Sequence, residues 1–375
     1  MAQSQSQGQN KPATISATDF SRGVSQARQQ NGESPTAEAS TAKIPQGSTL
    51  AAEVSGQKVS TAAPSTSGPK VVSAPGNDTE VEPRRAPSFT IQSNINAVRW
   101  LKLMVYGEYG SGKTLLAGTS VAVPAMRDVL MISAEAGDLT LFDPDNSNVP
   151  FPLIDIVHVT DYKTAARVHD FLKIHCSVRD KAASGDKEAI NTLMKLQNYL
   201  LPDVPDPDRL RLYRTNLIDT LTEVETFCMM QLLGINDMTL LDEESTSPEW
   251  AQYSAQRMMI HRLIRNFRNL PMNTVFTCQR QFRENEKKIR VYAPQMTGKL
   301  AGEIQGFMDL VGHLVVGEAQ PTEDDPDPAA PRRMYIQPGP RFSAKNRFRK
   351  YRKSYFDNPD MRMIVEAIGL PTLLE

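Results

Sequence analysis

Eight consecutive residues constrain this chain more than any others. Gly107-Glu108-Tyr109-Gly110-Ser111-Gly112-Lys113-Thr114 satisfies G-x-x-x-x-G-K-[ST], and it stands between the apolar run Leu101–Tyr106 and the helical pattern Leu115–Val123. Glycines let the backbone curl until successive N–H groups face one concavity, and the helix that follows aims its N-terminal dipole at the same point. Such a turn holds phosphates. Lys113 reaches the outer phosphates as a flexible point charge, and Thr114 offers a hydroxyl to Mg²⁺. A glycine-rich turn matching by chance would need neither the strand before it nor the helix after it.

The rest of the chain supplies a sheet for this turn. Strand-length apolar runs recur at Val129–Ser133, Ile154–Val159, Leu210–Asp219, Asn273–Cys278 and Leu310–Val316. Helical spacing covers Tyr162–Cys176, Thr222–Leu233, Ala255–Asn269 and Gly298–Phe307. Alternation of this kind predicts an α/β fold with a mainly parallel sheet flanked by helices. Residues 177–209 read as an inserted helix followed by a Pro/Asp loop. Gly234–Tyr253 and Gln279–Thr297 read as loops, Glu318–Pro331 as an acidic turn, and Asp360 as the cap of a last helix.

Residues 1–88 contain eleven scattered large apolar residues, too few to offset about 1–2 kcal/mol of backbone entropy per ordered residue. They read as a disordered low-complexity tail, and 89–375 as one folded domain. Charge is nearly balanced, with 42 Lys+Arg against 43 Asp+Glu and a net charge of −1, which excludes a uniformly basic nucleic-acid binder. Cys176, Cys228 and Cys278 are too few and too dispersed for a disulfide framework or a zinc site. His169, His175 and Cys176 share one helix at offsets of six and seven, which put no liganding pair at i,i+4. No apolar run approaches the roughly 18 residues of a membrane span, so the expectation is a cytoplasmic protein with no membrane partner.

A Mg²⁺-nucleotide site also needs a carboxylate at the end of a nearby strand. Asp219, closing RTNLID, is the candidate; capping the helix that follows is its alternative role. Glu135, at the end of VLMISAE, is able to orient and deprotonate an attacking water, or stands as a solvated loop acid.

In their order, GEYGSGKT, VLMISAE, RTNLID and NTVFTCQ resemble the RecA-type recombinase core, and particularly the phage RecA-like P-loop ATPases of the single-strand-annealing and recombination group. The resemblance covers roughly residues 93–365. It implies a RecA-like P-loop core that takes ATP and Mg²⁺, with Gly107, Glu108, Tyr109, Gly110, Ser111, Gly112, Lys113 and Thr114 around the phosphates. Thr114 and Asp219 match the metal-side residues, Glu135 the catalytic glutamate, and Gln279 the glutamine that senses the terminal phosphate. Phe142 stands where the family often puts an aromatic against adenine; a core Phe is the alternative. The family lines a single-strand channel with two loops, here Asp242–Tyr253, with Trp250 and Tyr253, and Arg280–Lys299. The second carries Arg280, Arg283, Lys287, Lys288, Arg290 and Lys299 around Phe282 and Tyr292, cations for phosphates and rings for bases.

Arg332–Lys353 opens the basic C-terminal segment 332–375, with nine Lys/Arg and no acid. In it, RFSAKNRF resembles the family's element that reaches a neighbouring subunit's nucleotide, with Lys345 and Arg347 acting in trans; a DNA-backbone patch is the rival reading. The implied protein is a DNA-stimulated ATPase acting in phage-type recombination, annealing or replication. Its implied partners are single-stranded DNA, further copies of itself in a filament or ring, and a single-strand-binding or other replication protein. Since 1–88 has no pattern like the family's N-terminal oligomerisation elements, assembly is the less supported half of this expectation. The alternatives are a P-loop phosphotransferase, a hexameric helicase-like motor, and a non-hydrolysing nucleotide-switched module.

Overall fold

The computed structural model describes residues 99–142, 149–200, 206, 209–235, 247–284, 288–321 and 328–370. The tail read over 1–88, Lys287, residues 242–246 of the first channel loop and much of the Pro/Asp loop lie outside them.

The apolar run before the glycine-rich turn becomes β1 (Lys102–Gly107), buried along its whole length. It pairs in parallel with β5 (Asn273–Glu284) on one side and β7 (Leu310–Val316) on the other. Beyond β5 the parallel order continues through β4 (Thr215–Asp219), β2 (Val129–Ser133) and β3 (Ile154–His158). β8 (Arg332–Tyr335) and β10 (Tyr355–Asp357) extend the other edge in antiparallel fashion, and β9 (Lys345–Asn346) pairs with the start of β7. The resulting order is β10-β8-β7-β1-β5-β4-β2-β3. This is the expected α/β architecture, a mainly parallel sheet flanked by helices.

Runs such as VLMIS are apolar at every position because both faces of the sheet are covered. The pleat divides them: Met104, Tyr106, Leu130 and Ile132 enter one core, and Leu103, Val105, Val129 and Met131 the other. The second face carries α1 (Lys113–Gly118) and, later, the C-terminal helix. α2 (Tyr162–Ala183), α4 (Leu221–Leu232), α5 (Trp250–Asn269) and α6 (Leu300–Gln305) cover the first, while α3 (Lys187–Leu200) packs on α2. α7 (Met361–Ile368) closes the second face, capped as expected by Asp360, whose carboxylate accepts from Met363 N at 2.6 Å. Among the described residues no helix is long and apolar enough to cross a membrane.

Several bounds differ from the sequence reading. α2 runs to Ala183, so the first residues of the expected 177–209 insertion are its last turns; Gly185, at φ 89°, then reverses the chain into α3. The apolar period breaks at Arg179, a core position filled by a cation that is 1% exposed. Its Nη1 donates to Tyr213 O at 3.2 Å and its guanidinium lies 4.8 Å from the Trp100 ring. A second buried cation, Arg211, meets Asp155 at 3.2 Å, and Tyr213 OH donates to the same carboxylate at 2.7 Å. That polar group occupies 210–214, and strand pairing starts only at Thr215.

The stretch Gln279–Thr297, read as a loop, is largely a hairpin. β5 continues past the sheet to Glu284 and pairs antiparallel with β6 (Arg290–Pro294). Its polar sequence hid the strand because this part projects from the core and is partly solvated. α5 begins at Trp250, so Trp250 and Tyr253 stand on its first turn instead of in a loop, 87% and 40% exposed.

Candidate active site

The glycine-rich turn leaves the end of β1 and enters α1 directly. Gly110 and Gly112 take left-handed φ values of 71° and 87°, and Ser111 Oγ donates to Glu108 O at 2.8 Å to close the turn. Lys113 is buried beneath it. Its Nζ donates to Glu108 O at 2.7 Å, Gly107 O at 3.3 Å and Gln279 Oε1 at 3.1 Å. Burial pulls its pKa below the usual lysine value, opposed by the nearby charges of Glu135 and Asp219.

Strand order brings the carboxylates to this lysine. β5 lies between β1 and β4, so Asp219 at the end of β4 sits across from Thr114 at the start of α1. Thr114 Oγ1 lies 2.9 and 3.1 Å from the two Asp219 oxygens, and Thr277 Oγ1 of β5 donates to Oδ1 at 2.5 Å. The alternative reading of Asp219 as a helix cap does not hold. Thr220 caps α4, accepting from Glu223 N at 3.4 Å, which leaves Asp219 turned toward Thr114. Burial pushes the Asp219 carboxyl above the usual range. A hydroxyl and a carboxylate are hard oxygen donors, and this pair fits Mg²⁺, which keeps waters and phosphate oxygens as its remaining ligands.

Glu135 follows β2, next to β4. Its two oxygens accept from Gln279 Nε2 at 3.0 and 3.2 Å. Burial, then the negative charge of Asp219, raises its pKa above the ordinary glutamate value. Gln279 is therefore a bridge, with its carbonyl on the Lys113 ammonium and its amide on the Glu135 carboxylate. Only this orientation of the amide satisfies both charges. Gln279 is also the last residue of β5 to pair with β1, opposite Gly107; from Arg280 onward the strand belongs to the hairpin.

Lys113, Thr114, Glu135 and Gln279 line one cavity of 270 Å³ together with Gly112 and Arg332. Arg332 was not singled out from the sequence, where it is simply the first cation after an acidic turn. The register of β8 on β7 brings it here. Phe142 is not on this wall; it is 81% exposed. Lys345 and Arg347 stand at the other end of the sheet. Lys345 pairs at Val311, about 10 Å down β7 from the level of the turn. There Lys345 Nζ donates to Gln305 O and Gly306 O at 2.8 and 3.1 Å, and Arg347 meets Asp309 at 3.1 Å.

The cations of Arg280–Lys299 divide by position. Arg280 ion-pairs with Glu108 of the glycine-rich turn and lies 4.3 Å from the Tyr292 ring. Arg283 folds back, donating to Met296 O at 2.5 Å. Lys288, Arg290 and Lys299 are exposed, as is Phe282, which packs on Tyr292 at 4.3 Å between centroids.

A phosphate-holding turn and a glutamate on one cavity, with a buried strand-end carboxylate behind Thr114, define a P-loop NTPase. The AAA domain family model matches residues 99–348, more than half of the chain, and the chain belongs to that family. Among solved structures, the chain is similar to the crystal structure of the RadB recombinase, at 17% identity and a TM-score of 0.32, with 68% of this chain and 85% of that one covered. No curated protein matches the sequence.

Proposed function

We propose that this chain hydrolyses ATP in a manner coupled to single-stranded DNA, in phage-type recombination, annealing or replication. The observation that carries the reading is the Gln279 bridge. One amide joins the phosphate lysine to the candidate base, at the residue where β5 leaves the sheet for a hairpin bearing cations and aromatic rings.

Lys113 and the turn amides hold the phosphates, while Thr114 and Asp219 hold Mg²⁺. An ion held there would supply charge neutralisation at the phosphates. Glu135, with its raised pKa, takes the proton of the attacking water as the new P–O bond forms and the bond to the bridging oxygen breaks. ADP and inorganic phosphate leave. A terminal phosphate between Lys113 and Glu135 competes with Gln279 Oε1 for the Lys113 ammonium and with Glu135 for Gln279 Nε2, and Arg280, gripping Glu108, ties the same event to the hairpin. Lys288, Arg290 and Lys299 attract the DNA backbone, and Phe282 offers a base-stacking face. Lys345 and Arg347 are too far from their own nucleotide cavity to serve it, which supports a role across a subunit boundary in a homo-oligomer.

ATP turnover with and without single-stranded DNA tests the proposal. Stimulation by DNA, together with DNA binding that weakens as salt rises, is expected. Equal turnover in both conditions and salt-independent binding would sink it.

A further inference from the structure

Arg332 has no part in the reading above, yet it stands inside the nucleotide cavity. It opens β8, pairing with Val316, just beyond the level at which Leu314 of β7 pairs with Gly107. This register carries its side chain onto the phosphate-holding turn. A Cβ added to Gly112 would lie 2.6 Å from Arg332 Nε, 3.1 Å from Cδ and 3.2 Å from Cζ. The guanidinium shares the cavity wall with Lys113, Thr114, Glu135 and Gln279.

Two further observations separate Arg332 from an ordinary surface arginine. Its Nε is shielded from solvent and has no hydrogen-bond partner, an uncommon state for a donor on a charged group. Its main chain is held at both polar atoms by one residue: N donates to Asn358 Oδ1 at 2.7 Å, and O accepts from Asn358 N at 2.6 Å. A planar cation on a fixed backbone, with an unused donor beside a phosphate-holding turn, is pre-organised for an anion.

We propose that Arg332 is a second cationic ligand of the nucleotide's phosphates, supplied in cis by the edge strand beside the turn. The inference rests on the nucleotide reading and adds a residue to it. Lys113 approaches the phosphates from below the turn; Arg332 approaches from the β8 side, against Gly112. The edge strand thereby becomes part of the nucleotide site, and Asn358 is its positioning residue.

Equilibrium binding of a fluorescent ATP analogue to the full chain, with Mg²⁺ and with competition by ATP and AMP, tests this. Arg332→Ala and Arg332→Gln are expected to weaken ATP binding by about 10- to 100-fold, the range for losing a charge-assisted hydrogen bond. AMP competition should change little, and Arg332→Lys should recover part of the loss. Melting of each apo variant reports on the fold separately. ATP affinity within twofold of wild type in Arg332→Ala, or equal losses for ATP and AMP, would overturn the assignment. Should wild type bind no nucleotide while Lys113→Ala behaves identically, the underlying nucleotide reading fails, and this inference with it.

Discussion

Replacing Gln279 with leucine keeps most of the side-chain volume and removes both ends of the amide that joins Lys113 to Glu135. Hydrogen bonds to charged groups are worth about 1.5–3 kcal/mol each, but little of that is lost here. Lys113 keeps the Glu108 and Gly107 carbonyls at 2.7 and 3.3 Å, and Glu135 borders the cavity, where water replaces the missing donor. The net destabilisation of Gln279→Leu should therefore be about 1–2 kcal/mol, visible as a lowered urea midpoint with an unchanged slope. The functional effect should be larger and of a different kind. Without the amide no hydrogen bond ties the position of Glu135 to the occupancy of the Lys113 site, and basal hydrolysis should fall by about tenfold, a part of the roughly 10²–10⁴-fold that general-base catalysis supplies. Stimulation by single-stranded DNA should fall sharply, because among the described residues only the Arg280–Glu108 side-chain pair then links the hairpin to the turn. Steady-state turnover across a DNA titration is the assay. A Gln279→Leu protein with reduced basal rate but the wild-type stimulation ratio would refute the bridge as the coupling element.

Two further substitutions probe the site and its scaffold. Burial holds the Asp219 pKa above its unfolded value, so the folded chain gains stability from this group below the unfolded pKa and loses it as pH rises through the folded one. Asp219→Asn should consequently raise the melting temperature of the nucleotide-free protein at pH 7 while abolishing its stabilisation by Mg-ATP; a lower melting temperature than wild type would contradict the sign. Asp155→Ala removes the carboxylate that meets Arg211 Nε, while the carbonyls of Asp206 and Arg209 still accept from this guanidinium, which is 2% exposed. Breaking a buried ion pair costs about 3–5 kcal/mol, and the retained carbonyls put the expectation at about 3. Denaturant unfolding that shows a loss below about 1 kcal/mol would mean that the pair is not a buried salt bridge in solution.

The parts of this protein legible in the sequence are those whose chemistry is contiguous or periodic. Gly107–Thr114 must be consecutive to curl its amides around a phosphate, so the motif can be read without a fold. Strands buried on both faces leave unbroken apolar runs, and the bounds of β2 and β7 follow from them. Asp219 and Glu135 were readable as strand-end acids, though their orientation was not. It took the insertion of β5 between β1 and β4, and the cap supplied by Thr220, to turn Asp219 toward Thr114.

Tertiary structure decided whatever depends on groups far apart in the chain or on polar residues at core positions. Arg179 and Arg211 break the apolar period that marks a helix or strand, yet they are buried because Asp155, Tyr213 and Trp100 receive them from other elements. The hairpin beyond Gln279 looks like a loop because its residues are half solvated, and only pairing with β6 makes it a strand. Gln279 bridges partners 166 and 144 residues away, and Arg332 reaches Gly112 through the register of an edge strand. Local sequence carries propensity and burial pattern, whereas convergence on one cavity is set by strand order and register, which depend on the whole sheet.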